Sequence, residues 1–315
     1  MAAGSGNRTG GPFFGVVTGS WQAACTSISI PYMEYAEWAP GPQLDPFVQC
    51  IWTLRQRADG PSVERIVPDA RPEIIFNFGD RFRHHLPDGS VAVQPSWFVV
   101  GQIPRAMLLE SPASSDVLGV RLRPAALPAL LALPARELTA QVVDLRRVLR
   151  GGDEAWSRAA AAQTMDARVE IVRDFVCRQL RRVARDPDPL VEETLRRVQN
   201  SGGALRLKDV ARSVGRSPRA LERRVLDVVG LTPKTVARIV RIQRILALKQ
   251  SHPTTTWSAL AHRCGYADHA HLTHDFRRMV GVTPTSFFEQ PTAMNDAFVQ
   301  GAPAAFLQDT APARS

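Results

Sequence analysis

Two related segments decide the fold: LKDVARSVGRSPRALERRVLDVVGLTP at residues 207–233 and WSALAHRCGYADHAHLTHDFRRMVGVTP at residues 257–284. They align with a step of 50 residues up to Gly215 and Gly265, and with a step of 51 residues beyond that point. The equivalent residues after the change of step are Ser217 and Asp268, Leu221 and Leu272, Val225 and Phe276, and the quartets 230–233 and 281–284. Agreement at spaced positions in two linked units predicts an internal structural repeat.

Each copy has the pattern of a helix-turn-helix unit, with a short first helix, a sharp turn and a second helix. Gly215 and Gly265 stand at the turn, where glycine readily adopts the positive φ that is needed. Ser217 and Asp268 are favourable N-caps for the second helix. Residues 233 to about 250 repeat apolar side chains at helical spacing, which predicts one long helix joining the two units.

The outward face of each second helix carries polar side chains that could bind DNA. A helix fits the major groove, and its N-terminal half reaches the base edges. The predicted DNA-binding residues are Ser217, Arg219, Glu222, Arg223, Arg241, His269, His271, Thr273 and His274. The joining helix, roughly 25 Å long, would let one chain contact two successive major-groove segments.

The charge of the chain is concentrated in the same region. The 315 residues carry a formal net charge of +9, and residues 190–290 alone hold 17 Lys and Arg against 8 Asp and Glu. Residues 1–189 hold 21 against 20. A basic domain joined to a near-neutral one indicates a binder of polyanions coupled to a second function.

The composition also excludes several classes of protein. No apolar run is long enough to span a membrane, and the N-terminus lacks the pattern of a secretory signal. The four cysteines are scattered, which argues against a disulfide framework or a zinc site and favours the cytoplasm. The histidine spacing in the second repeat suits no common zinc motif, so we expect no metal and no cofactor.

The first half of the chain is typical of a β-rich domain. Short β-branched and aromatic runs recur between turn residues from about 46 to 122, and helical patterns follow at about 142–148, 153–163 and 166–184. We predict five parts: a flexible N-terminal extension at 1–32, a sensor or oligomerisation domain at 33–185, a linker at 186–189, a DNA-binding domain at 190–290, and a disordered tail at 291–315.

Aromatic and charged residues within the predicted strands are candidates for a small-molecule site. They are Trp52, Asp69, Phe76, Phe78, Trp97 and Arg121. The aromatic residues are equally typical of a plain apolar core, and the charged ones of structural ion pairs. The sequence leaves both interpretations open.

Residues 190–290 resemble the DNA-binding domain of the AraC/XylS family of bacterial transcription regulators. The second repeat carries the family signature at Ala261, Gly265-Tyr266, His271-Leu272, Phe276-Arg277-Arg278, Gly281-Val282-Thr283-Pro284 and Phe287. The resemblance implies an all-helical domain of two helix-turn-helix units joined by a long helix. It also implies control of transcription at promoters.

The N-terminal part is similar to the sensor domain of some members of this family, at positions that include Arg65-Ile66-Val67-Pro68-Asp69, residues 73–79 and residues 119–124. This implies a cupin-like β-barrel with flanking helices, and hence an α+β chain of two domains. The expected function is sequence-specific DNA binding that responds to a ligand, with activation of transcription and no enzymatic activity.

The expected partners are double-stranded promoter DNA and RNA polymerase, with a small-molecule effector and a second copy of the chain as further partners. Two alternatives remain open. The barrel could be an enzyme that the C-terminal domain brings to DNA, or it could only dimerise and bind no small molecule. No nucleotide hydrolase, esterase or zincin motif occurs in the sequence.

Overall fold

The computed structural model of the chain describes residues 26–30, 33–58, 60–149 and 151–289. Within these ranges a β-rich N-terminal domain precedes an all-helical C-terminal domain, which confirms the predicted α+β class. Most of the predicted N-terminal extension and all of the predicted tail at 291–315 lie outside the described residues. Residues 26–30 of that extension form a strand, so the sheet begins before residue 33.

The N-terminal domain contains two antiparallel sheets. The strands are β1 (Thr26–Ile30), β2 (Met33–Trp38), β3 (Val48–Arg57), β4 (Ser62–Ile66), β5 (Glu73–Asn77), β6 (Arg83–His85), β7 (Val91–Val93), β8 (Trp97–Val100), β9 (Met107–Ser111), β10 (Ser114–Leu122) and β11 (Val142–Asp144). The first sheet has the strand order β1-β2-β3-β10-β5-β8-β11, and the second has the order β4-β9-β6-β7.

Three helices cover one face of the seven-stranded sheet. They are α1 (Leu127–Leu131), α2 (Gly152–Ala161) and α3 (Met165–Val183). Phe76 and Trp97 from the sheet pack against Phe175 of α3, with ring centroids 6.3 and 5.6 Å away. The apolar stripe that indicated a helix at 166–184 therefore faces the sheet.

The helix predicted at about 142–148 is wrong. Residues 142–144 form β11, and the 3-10 helix Leu145–Arg147 follows. Val142 and Val143 pair with Val100 and Val99 of β8, so they extend the sheet at its edge. Four apolar residues over seven positions fit a short strand followed by a turn as well as a helix, and the valines favour the strand.

The C-terminal domain contains the two predicted helix-turn-helix units. Its helices are α4 (Pro189–Asn200), α5 (Leu207–Ser213), α6 (Pro218–Val229), α7 (Pro233–Ser251), α8 (Trp257–Arg263), α9 (His269–Val280) and α10 (Pro284–Glu289). Gly215 and Gly265 have φ values of 65° and 74°, which explains glycine at both turns. Helix α7 joins the two units. No helix in the described ranges is long and apolar enough to cross a bilayer.

The two domains are packed against each other. Ala70 and Ala125 of the N-terminal domain are 6% and 3% exposed, and both belong to the apolar cluster that forms the core of the C-terminal domain. The side-chain amide of Gln243, on α7, donates a buried hydrogen bond of 2.6 Å to the carbonyl of Pro68. The barrel and the helical domain thus share a desolvated interface.

Candidate nucleic-acid interface and barrel cavity

Helix α6 presents its predicted DNA-binding face to solvent. The Ser217 hydroxyl accepts a hydrogen bond of 3.2 Å from the Ala220 amide, which caps the helix. Leu221 and Val225 are fully buried on the inner face. The outer face carries the three exposed side chains that the sequence predicted, Arg219, Glu222 and Arg223.

Helix α9 repeats this arrangement. The Asp268 carboxylate accepts a hydrogen bond of 2.7 Å from the His271 amide, and Leu272 is buried beneath the helix. His269, His271 and His274 are exposed. Thr273 is half-buried, and among the described residues its hydroxyl has no hydrogen-bond partner. The Thr273 hydroxyl is itself buried, which corrects the prediction that Thr273 contacts DNA. The second face therefore offers imidazole groups where the first offers guanidinium groups and a carboxylate.

The structure corrects the prediction for Arg241, which does not lie on the exposed face. Its side chain is 18% exposed, its guanidinium lies 4.7 Å from the centre of the Tyr266 ring, and one of its nitrogens is 4.0 Å from the Asp275 carboxylate. The turn of α7 that carries Arg241 faces α9, which encloses the side chain. Sequence periodicity placed it on the polar side of α7 but could not show that α9 covers that side.

A buried ion cluster fixes α9 on α7. The Asp275 carboxylate, 2% exposed, lies 2.9 Å from the Arg238 guanidinium and accepts a hydrogen bond of 3.1 Å from the Tyr266 hydroxyl. Burial raises the pKa of Tyr266, and the adjacent Asp275 raises it further, so the hydroxyl keeps its proton and remains a donor. The sequence patterns did not predict these roles of Asp275 and Arg238. An acid on the inner face of an otherwise apolar stripe is the signal that could have revealed Asp275.

The N-terminal domain encloses a cavity of about 130 Å³ between its two sheets. Its wall is mainly apolar, with contributions from both sheets and from Gln243 of α7. Three of the six predicted ligand-binding residues lie there: Trp52, Asp69 and Arg121. This volume can hold several waters or a small molecule.

Glu73 organises the polar end of this cavity. Its carboxylate accepts hydrogen bonds of 3.0 Å from the Trp52 indole and 3.0 Å from the Arg121 guanidinium. Burial raises the pKa of Glu73, and the neighbouring Arg121 opposes that rise. The Trp52 ring crosses Gly119, where a Cβ atom would lie 2.1 Å from it, so glycine is required.

The other three predicted ligand-binding residues do not line the cavity. Phe76 and Trp97 point from the opposite face of the same sheet into the helix-covered core. Phe78 stacks on Trp156 with a centroid distance of 5.9 Å. Successive side chains of a strand alternate between the two faces of a sheet, and Phe76 stands one position from Ile75, which does line the cavity.

Two family models match the chain. Residues 36–144 match a family described as a domain of unknown function, DUF6597, and residues 210–290 match one described as a helix-turn-helix domain. No curated protein matches this sequence. The helix-turn-helix match spans both second helices, α6 and α9.

The solved structures that are similar to parts of the chain include apo ToxT and the C-terminal domain of AraT. Apo ToxT from Vibrio cholerae is 12% identical, with a TM-score of 0.43, over 78% of this chain and 98% of that one. The C-terminal domain of AraT, a response regulator from Geobacillus stearothermophilus, is 23% identical, with a TM-score of 0.30, over 31% of this chain and 83% of that one. The helix-turn-helix match, together with the repeat and its exposed second helices, identifies the C-terminal domain as AraC-type and the chain as a DNA-binding transcription regulator.

Proposed function

We propose that the chain reads two successive major-groove segments of promoter DNA, one through α6 and one through α9. The observation that carries this proposal is the repeated arrangement of the two helices, each capped at its N-terminus, buried along one face and exposed along the other. The 19 residues of α7 span about 28 Å, close to the ~34 Å at which major grooves recur on one face of DNA.

The base-reading residues in this proposal are Arg219, Glu222 and Arg223 on α6, and His269, His271 and His274 on α9. Arginine donates two hydrogen bonds to guanine, and a glutamate accepts one from cytosine. Ser217 lies at the N-terminal edge of the exposed face of α6 and would contact phosphate or sugar. The chain would act in the cytoplasm beside RNA polymerase.

Selection of bound sequences from a random DNA pool tests the two-segment proposal. We expect two conserved half-sites with centres roughly 10 base pairs apart, since that distance is one turn of the double helix. Nuclease footprinting of the full chain on the selected duplex should then protect both half-sites. Enrichment of a single half-site would contradict reading by both helices.

The barrel cavity is the second part of the proposal: we infer that it binds a small, mainly apolar effector with a polar end, and that it performs no chemistry on it. Support comes from the apolar wall, from the polar group formed by Asp69, Glu73 and Arg121, and from Gln243 of the DNA-binding domain. Binding in this cavity would contact both domains at once.

Screening a library of small molecules by thermal shift on the full chain tests whether the cavity binds an effector. Leu109→Trp would fill the cavity, because Leu109 lines it. Val93→Trp is the matched control, since Val93 lies in the same sheet but is 61% exposed. A true effector should stabilise the native chain and Val93→Trp but not Leu109→Trp. A stable dimer with no stabilising compound would instead favour a barrel that only dimerises.

A further inference from the structure

The C-terminal end of α6 is held by the N-terminal domain. The Thr139 hydroxyl donates a hydrogen bond of 2.6 Å to the carbonyl of Gly230, which ends the helix. Arg136 forms an ion pair with Asp227 in the last turn of α6. An acid is unfavourable near the negative end of a helix dipole, so the neighbouring guanidinium stabilises Asp227 there.

The C-terminal end of α9 is held in a related way. The Arg65 guanidinium donates a hydrogen bond of 3.0 Å to the carbonyl of Val280, and the Ala106 amide donates one of 2.7 Å to the carbonyl of Met279. The last carbonyls of a helix have no partner within the helix, and a cation is favourable beside them. The N-terminal domain therefore supplies the hydrogen-bond donors and the positive charge that the C-terminal end of α9 lacks.

The two contacts fall on equivalent positions of the repeat. Gly230 and Gly281 are partners in the alignment of the two copies, and their φ values are +87° and +89°. A Cβ atom at Gly230 would lie 2.7 Å from the Thr139 hydroxyl, and one at Gly281 would lie 2.8 Å from the Arg65 guanidinium. At Gly230 the Ala135 carbonyl oxygen would also lie 2.9 Å from the Cβ atom, so the N-terminal domain leaves no room for a larger residue there. At Gly281 the close atom is the mobile end of the Arg65 side chain, which could move aside.

We propose that Arg65, Arg136 and Thr139 form a clamp that sets the separation and relative angle of the two reading helices on DNA. These three are positioning residues, because they contact the C-terminal ends of α6 and α9, whereas the exposed reading residues lie nearer the N-terminal ends. The inference rests on the proposed two-segment reading. The N-terminal domain thereby determines the half-site spacing that the chain accepts.

The test measures spacing discrimination by the full chain. The probes are the duplex selected from the random pool and two derivatives with one base pair inserted or deleted between its half-sites. The native chain should bind the derivatives at least about tenfold more weakly. The measured quantity is the ratio of the affinity for the selected duplex to the affinity for a derivative. In Arg136→Asp this ratio should fall to about threefold or less, and in Thr139→Val it should also fall. Combining Arg136→Asp with Asp227→Arg should restore the ratio by re-forming the ion pair in reverse.

The matched control is Arg146→Asp, which breaks an exposed ion pair with Asp144 on the barrel and should leave the ratio unchanged. Because each result is a ratio of affinities, the charge changes themselves cancel, and thermal unfolding verifies that each variant is folded. A native chain indifferent to spacing would refute two-segment reading itself. Native-like ratios in folded Arg136→Asp and Thr139→Val variants, beside a spacing-sensitive native chain, would overturn the clamp.

Discussion

Arg223 is the residue on which base recognition can be tested most directly. It is exposed on α6 one turn after Arg219, so both side chains can enter one groove. Arg223→Ala should weaken binding to the selected duplex by about 1–3 kcal/mol and weaken binding to random DNA less. Competition titration measures both affinities. The control is Arg196→Ala on α4, whose exposed side chain pairs with Glu193. Equal losses on selected and random DNA would exclude a base-reading role.

At the same scale, the structure shows which residue roles a sequence can predict. The exposed residues of α6 and α9 follow from helical periodicity because their inner faces are apolar and their outer faces polar. The strands gave no such contrast, because both faces of β5 and β8 are apolar. Trp52 was therefore placed in the cavity by the same reasoning that misplaced Phe76 and Trp97. The charge of Glu73 marks the cavity face of β5, and alternation from it would have placed Phe76 on the opposite face.

At the scale of elements, the ion cluster around Asp275 determines how α9 lies on α7. Asp275→Ala should lower the free energy of unfolding by about 3 kcal/mol, because it leaves the Arg238 guanidinium partly buried without its closest acid. Tyr266→Phe removes one hydrogen bond and should cost about 1 kcal/mol. Urea unfolding of the full chain measures both values. A smaller loss for Asp275→Ala than for Tyr266→Phe would show that the carboxylate is not the centre of the cluster.

The repeated helices were predictable element by element, and the edge of the sheet was not. Glycine turns, N-caps and apolar stripes within about 30 residues specify α5, α6, α8 and α9. Strand β11 depends instead on pairing with β8, some 40 residues earlier in the chain, and the short run 142–148 contains no local signal of that partner. Elements whose stability comes from distant pairing are the ones that local patterns misassign.

At the scale of the whole molecule, the interface between the domains should make them unfold together. Ala70 lies in this interface with a φ of 61°, a conformation that glycine and aspartate tolerate. Ala70→Gly should retain a single transition in scanning calorimetry. Ala70→Asp places a carboxylate in the apolar contact and should split the transition into two. Two separate transitions in the native chain would contradict this prediction.

The contacts that join the domains lie beyond the reach of sequence patterns. Arg65 and Val280 are 215 positions apart, and Gln243 and Pro68 are 175 apart. Charge counting along the chain separates the basic domain from the near-neutral one, but it contains no information about which surfaces meet. Only the folded chain places the ends of α6 and α9 against the barrel.

Gln243 belongs to the helix that joins the two reading units, yet its side chain forms part of the cavity wall. A molecule in the cavity would therefore contact the DNA-binding domain itself. Suppose that the chain binds this molecule with different affinities when it is free and when it is bound to DNA. The molecule then changes the affinity of the chain for DNA by some factor, and DNA must change the affinity of the chain for the molecule by the same factor. Operator DNA would then act as an effector of the cavity, and the occupancy of the cavity would depend on how many promoters are free.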